Sequence, residues 1–320
     1  MRYATWKATV VTTAMATVLG VISTVGCRET VTEHTAPATD PPPGGDTSLP
    51  YAIDRGDDGA GTPGTYKGLF LRLTDNGSPT VTAVDNVIGV VCVGMSNANQ
   101  ECADYINRVT TEYAGAVRLS VRVANCAVGG HAIERWIDPS FDITLWDDCI
   151  GRRLAAAGIR LDQVRVVFHK AANQFTTATN GDALPLYPAT GSDYENFVRN
   201  LGLFAARVKE KFPAAQAVYT TSRSYGGFTG NTSRGEPLSY EEGHALNTWL
   251  SGHRTVDGVW YGWGPYIWAP SCDTGRTNKS DLCFDRDDYV ADGVHPSSLG
   301  QAKISARIHA RFLRDAWYRR

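Results

Sequence analysis

Nearly unbroken apolar runs recur along the chain: NVIGVVCV (86–93), AVRLSVRVA (116–124), QVRVVFH (163–169), QAVYTT (216–221) and DGVWYGW (257–263). A strand with one wet face alternates apolar and polar residues, whereas a strand covered on both faces does not. Between the runs lie stretches of helical period with readable starts. Ser192 with Glu195, and Ser239 with Glu242, are S-x-x-E capping boxes in which hydroxyl and carboxylate each satisfy a free backbone N–H. LGQAKISARIHARFLRDAW makes a final helix. Five β-then-α units predict an α/β domain, a mainly parallel five-stranded sheet with helices on both faces. Ahead of them, GLFLRLTDNGSPTVTAV has two β-prone stretches around Asp75-Asn76-Gly77, a turn of the kind that joins a hairpin. Ligands of such a sheet bind beyond the carboxyl ends of its strands, so reactive residues are sought there.

The N-terminus has a different texture. Arg2 and Lys7 precede nineteen uncharged positions, Ala8 to Gly26, and then Cys27, which reads as an export signal over 1–27. TVGC resembles the lipobox of bacterial lipoproteins, in which the Cys is lipidated, with Thr24 where Leu is usual. A conventional secreted protein and an uncleaved anchor are the other readings, the latter weakened by five threonines. Residues 28–64, rich in Thr, Pro, Gly and Asp, form a tether or loop, which leaves 65–320 as the folded domain. Six cysteines remain: Cys92, Cys102, Cys126, Cys149, Cys272 and Cys283. An even set in an exported chain favours disulfides, with Cys272 and Cys283 closing a local loop and three pairings open to the other four. No C-x₂₋₄-C spacing of the kind zinc needs occurs, and neither metal nor cofactor is expected. A formal charge of −2 with no Lys/Arg cluster excludes a nucleic-acid footprint. Contact with a membrane is expected only through the N-terminal lipid or anchor. Asn-x-Ser/Thr occurs at Asn76, Asn231 and Asn278 and matters only where glycosylation machinery exists.

Reactive side chains fall at the strand ends. Ser96, in VCVGMSNANQE, stands where the first strand turns into a helix, near backbone N–H groups able to stabilise an oxyanion. Gly129 and Gly130 in ANCAVGGHAIERW allow close backbone approach to a substrate oxygen, or simply a tight turn. Asn173 in FHKAANQF can donate an amide N–H, or can end the strand by bonding its own backbone. His169 reads as a satisfied, partly buried side chain and Lys170 as a solvated one. Asp292 and His295, in DGVHPSSLG, can hold an imidazole by one nitrogen and offer the other to a nucleophile, or can cap the last helix.

Their order carries a resemblance. Ser after the first strand, Gly after the second, Asn after the third and D-x-x-H-P before the last helix is similar to the SGNH (GDSL-like) hydrolases, over residues 86–314. The resemblance implies a flavodoxin-like three-layer α/β/α sandwich. It also implies a serine esterase with Ser96, Asp292 and His295 as catalytic residues and an oxyanion hole from Ser96, Gly130 and Asn173. Two motifs depart from the family pattern: G-D-S is here Gly94-Met95-Ser96, and G-x-N-D is Ala171-Ala172-Asn173-Gln174.

Trp136, Tyr225, Trp263, Tyr266 and Trp268 fall in predicted loops, where flat rings can wall a carbohydrate cleft or pack the core. Arg223 and Glu236 can orient substrate hydroxyls or pair with each other. Tyr225, Trp263 and Trp268 join them as candidate substrate-binding residues. The expected activity is removal of acetyl or another short acyl group from an extracellular or cell-surface carbohydrate. A non-catalytic glycan-binding protein and an O-acyltransferase are the competing expectations.

Overall fold

Every residue of β1 (Ile88–Gly94), β4 (Ala217–Thr221) and β6 (Val259–Trp263) is buried, and all but one of β3 (Val164–Lys170), which is why these runs lack alternation. β2 (Val121–Asn125), at the sheet edge, exposes Arg122. The strands come from a computed structural model that describes residues 73–320 apart from 139, 171, 175, 178–181, 183, 186–188, 232, 237, 270 and 275–281. The expected export signal, Cys27, the whole tether, the first residues of the expected domain (65–72) and Asn278 lie outside the described residues.

The sheet has six strands in the order β2-β1-β3-β4-β6-β5, all parallel except β5 (Thr255–Val256), which pairs antiparallel with β6. The sixth strand corrects the five expected, and its turn lies inside one of the predicted runs. Asp257 and Gly258 both have positive φ, +48° and +77°, the signature of a two-residue type I′ hairpin, so β6 starts only at Val259. The hairpin expected at Asp75-Asn76-Gly77 does not form: no strand lies within 73–83. There Asn76 Nδ2 donates to the carbonyls of Leu250 and Tyr261, and Trp260 Nε1 donates to the Asn76 carbonyl. A buried amide so engaged is a staple across the sheet.

Helices cover both faces, giving a three-layer α/β/α sandwich. On one face α1 (Ser96–Thr110) packs Cys102, Tyr105 and Val109 with Ile304, Ile308 and Phe312 of the last helix. The other face carries α2 (Ile133–Ile137) and α3 (Leu145–Asp148), the latter running on through a wide turn to Ala156. The same face holds α4 (Asp193–Lys211) and α5 (Leu238–Gly252), and the last helix is α6 (Ser298–Phe312). Ser192 caps α4 as its box predicts, accepting from the Glu195 N–H at 3.3 Å, although the Glu195 carboxylate reaches Gly191 N–H rather than that of Ser192. Ser239 is no cap at all: it lies inside α5, and Glu242 faces the sheet end.

All six cysteines pair, as Cys92–Cys102, Cys126–Cys149 and Cys272–Cys283. The first ties β1 to α1 across the turn holding Ser96; the second anchors the segment leading to Gly129 and Gly130 onto the end of α3.

Candidate active site

The order β2-β1-β3 reverses the winding direction beside β1, so the loops after β1 and β3 part and leave a crevice at their carboxyl ends. Gly94 ends β1 with φ +150°, and a Cβ there would sit 2.5 Å from the Lys170 carbonyl oxygen, so only glycine fits. Met95 then takes the N-cap position in extended backbone, and Ser96 is the first residue of α1. Backbone N–H groups in a helix's first turn have no acceptor within the helix, so Ser96 sits beside free donors.

His295 Nε2 lies 2.8 Å from Ser96 Oγ, and His295 Nδ1 lies 2.5 Å from Asp292 Oδ2. The local sequence explains the pose. Gly293, at φ +68°, passes so close to the Phe228 carbonyl that a Cβ would stand 2.1 Å from its oxygen. That turn lets Asp292 Oδ1 accept the N–H groups of Val294 and His295 at 2.9 and 3.0 Å. Asn97 Nδ2 donates to the Val294 carbonyl at 2.8 Å, tying the histidine loop to the serine helix. The cap of α6 is Ser297, through Gly300 N–H, so Asp292 is left for the imidazole. Partial desolvation pushes the Asp292 carboxyl up, but the bonds from His295 and Val294 outweigh it and hold it at about 2.

The glycine loop is fastened to the same helix. Val128 N–H donates to the Gly94 carbonyl, and Asn99 Nδ2 donates to the Ala127 carbonyl at 2.6 Å. A Cβ on Gly129 would lie 3.8 Å from Ser96 Cβ, and Gly130 has φ +74°. Ser96, Gly129, Gly130, Asn173 and His295 all line one open cleft of roughly 310 Å³.

Asn173 reaches the cleft with its amide already engaged. Its Nδ2 donates to Oδ1 and the carbonyl of Asp193 at 2.9 and 3.2 Å, its Oδ1 accepts from Asn200, and its N–H donates to Glu242 Oε1 at 2.6 Å. Burial pushes Asp193 up to about 6, against the Asn173 bond and the Arg223 charge that favour its ionised form. Burial and the neighbouring Asp193 push Glu242 well above the carboxylate range, against Arg223. Because the folded value of Asp193 exceeds its ordinary 3.8, its contribution to stability is complete below about pH 4 and is lost as pH rises through about 6. Denaturant unfolding across that window should therefore show stability falling with pH, by at most about 3 kcal/mol from this group. Asp193→Asn should flatten that part of the profile, since asparagine keeps an oxygen for Asn173 Nδ2.

The expected aromatic wall is absent from this cleft. Trp263 and Trp268 are core residues, 4% and 0% exposed, with Nε1 groups donating to Asn247 Oδ1 and Glu236 Oε1. Trp136 is fully buried against Trp146. Glu236 holds the Gly226 N–H as well as Trp268, a structural position rather than a substrate contact. Tyr225 is half-buried against Phe228 and borders neighbouring depressions, not the Ser96 cleft. Of the five candidate substrate residues only Arg223 lines the cleft, and no described lining residue is aromatic. Arg223 donates to the Arg234 carbonyl at 2.6 Å and lies 3.9 Å from Glu242, instead of pairing with Glu236. His169 is fully buried, stacked on Phe204 and pushed down to about 3 by desolvation. Lys170 is also buried, paired with Glu101, which corrects its reading as a solvated side chain.

Sequence reasoning did not single out Arg234, Asp193 or Glu242. Glu242 carried a signal, its place three residues after Ser239, but that signal pointed to a cap. Among the described residues no group of three or more His, Cys, Asp or Glu could hold a metal ion.

No protein-family model matches the sequence, and no curated protein matches it. Among solved structures, one described as a GDSL-like lipase from Parabacteroides merdae is 15% identical, over 73% of this chain and 100% of that one, with a TM-score of 0.44. A lipase/acylhydrolase from Enterococcus faecalis is 14% identical, over 70% and 95%, with a TM-score of 0.42. A variant of an acetyl xylan esterase from Geobacillus stearothermophilus is 13% identical, over 71% and 96%, with a TM-score of 0.41. Likeness at this level concerns fold alone and transfers no residue role.

Proposed function

We propose that this protein is a serine ester hydrolase that removes acetyl or another short acyl group from an extracellular or cell-surface carbohydrate. The observation that carries the proposal is the chain of contacts from Asp292 through His295 to Ser96 at the edge of the cleft. Ser96 Oγ attacks the acyl carbon while neutral His295 takes its proton at Nε2. Asp292 accepts from Nδ1–H, fixing the tautomer and steadying the imidazolium. The backbone N–H groups of Ser96 and Gly130 receive the oxyanion, joined by Asn173 Nδ2 when it exchanges one Asp193 oxygen for the substrate. Collapse expels the alcohol, which takes the proton from His295. Water, deprotonated by the same nitrogen, then releases the acid and restores the Ser96 hydroxyl.

A cleft of roughly 310 Å³ suits a short acyl group better than a long chain. Three disulfides suit an oxidising compartment, and no helix among the described residues is long and apolar enough to cross a membrane. Export as a lipoprotein through Cys27, or by secretion, belongs to the same proposal.

The purified protein should release p-nitrophenol from p-nitrophenyl acetate, and a fluorophosphonate should modify Ser96, as located by peptide mass spectrometry. A glycan-binding protein without chemistry gives neither result. Modification at another serine, or none, defeats the proposal.

A further inference from the structure

The Ser96 cleft is cationic. Its charged lining residues are Arg223 and Arg234, and no described carboxylate lines it. Arg234 is exposed and has no carboxylate within ion-pair distance among the described residues. Arg223 is anchored from behind, its Nη2 on the Arg234 carbonyl, so one arginine braces the loop that presents the other. The nearest carboxylate to Arg223, that of Glu242 at 3.9 Å, has its other oxygen on the Asn173 N–H. Crowding by burial and by Asp193 disfavours charge on Glu242, which leaves the Arg223 charge incompletely matched. A second depression, shared with Met95, Asn97 and Val294, is bordered by the same two arginines.

Stacked aromatic rings would recognise a neutral sugar face, and the described lining has none. Paired guanidinium groups recognise planar or tetrahedral anions through charge-assisted, often bidentate hydrogen bonds. We propose that Arg223 and Arg234 bind an anionic group of the substrate, so that the ester opened at Ser96 belongs to an acidic carbohydrate bearing a carboxylate or sulfate beside the acyl group. This rests on the esterase reading of Ser96 for its chemistry but not for its binding.

Two measurements separate those parts. The first is the ratio of kcat/KM for O-acetylated oligogalacturonate, and separately for an O-acetylated, sulfated galactan oligosaccharide, to that for O-acetylated xylo-oligosaccharide. At least one ratio should exceed about ten at low salt and fall toward one at high salt. Whichever arm shows the preference identifies the anion as carboxylate or sulfate. In Arg234→Gln, an exposed position where folding is not at stake, the preferred ratio should drop about fivefold or more. The second is calorimetric binding of deacetylated oligogalacturonate and the sulfated oligosaccharide to Ser96→Ala, again beside Arg234→Gln. Ratios near one in both arms, or a preference unchanged in Arg234→Gln, overturn the proposal and leave the esterase intact. Salt-sensitive binding that needs Arg234, with no ester turned over by the parent protein, supports the anion site and sinks the esterase reading alone.

Discussion

Ser96→Ala is expected to lower kcat/KM for p-nitrophenyl acetate on the order of a thousandfold or more, equivalent to about 4 kcal/mol of transition-state stabilisation. The hydroxyl makes its close contact with His295 Nε2, at 2.8 Å, and a second at 3.5 Å with Asn97 Oδ1, so its removal deletes the nucleophile and little packing. The melting temperature of the variant should therefore stay close to the parent's. His295→Ala should cost a similar factor, and the double variant no more than either, because base and nucleophile act as one unit. Asp292→Asn is the more informative change. It keeps Oδ1 for the N–H groups of Val294 and His295, so the loop should hold, but it turns a donor toward His295 Nδ1 and favours the tautomer with its proton on Nε2. An imidazole in that state cannot accept from Ser96. Loss of activity in Asp292→Asn at unchanged stability would assign Asp292 to tautomer control. Full activity in Ser96→Ala would end the esterase reading.

DGVHPSSLG could be read because each of its constraints is local: Asp292 to His295 through three residues, the left-handed Gly293, and the Ser297 cap immediately before α6. The buried strands were legible for a different reason. Residues covered on both faces must be apolar throughout, and that signal survives without knowing the neighbours. The run at 116–124 shows where it fails. Its first residues are not in β2 but dock the chain terminus: Arg118 N–H donates to the Tyr318 carbonyl, and Val117 bridges Arg319. Apolar character reports burial, not the kind of burial. The same ambiguity placed Trp263 and Trp268 at the cleft when they are core. Arg234 gave no signal, since a charged residue in a polar loop is ordinary until the fold brings it beside Ser96.

The second large effect concerns Lys170 and Glu101, an ion pair buried beneath the turn that carries Ser96, 3% and 0% exposed. It joins the last residue of β3 to α1, and the Glu101 carbonyl accepts from Ser305 of α6. Burial pushes Glu101 up and Lys170 down, and each is opposed by the other's charge. Neither charge is tolerable without its partner. Lys170→Met should destabilise the protein by about 3–5 kcal/mol in denaturant unfolding, whereas Lys170→Met with Glu101→Leu should recover most of that loss. The pH dependence of the single variant distinguishes a stranded charge from a packing defect. With Lys170 gone, the Glu101 value is raised further above its ordinary 4.5, so its contribution is kept at low pH and lost as pH rises through the folded value. Lys170→Met should accordingly be less destabilised at pH 5 than at pH 8. A packing defect would cost the same at both, and the double variant would then gain nothing.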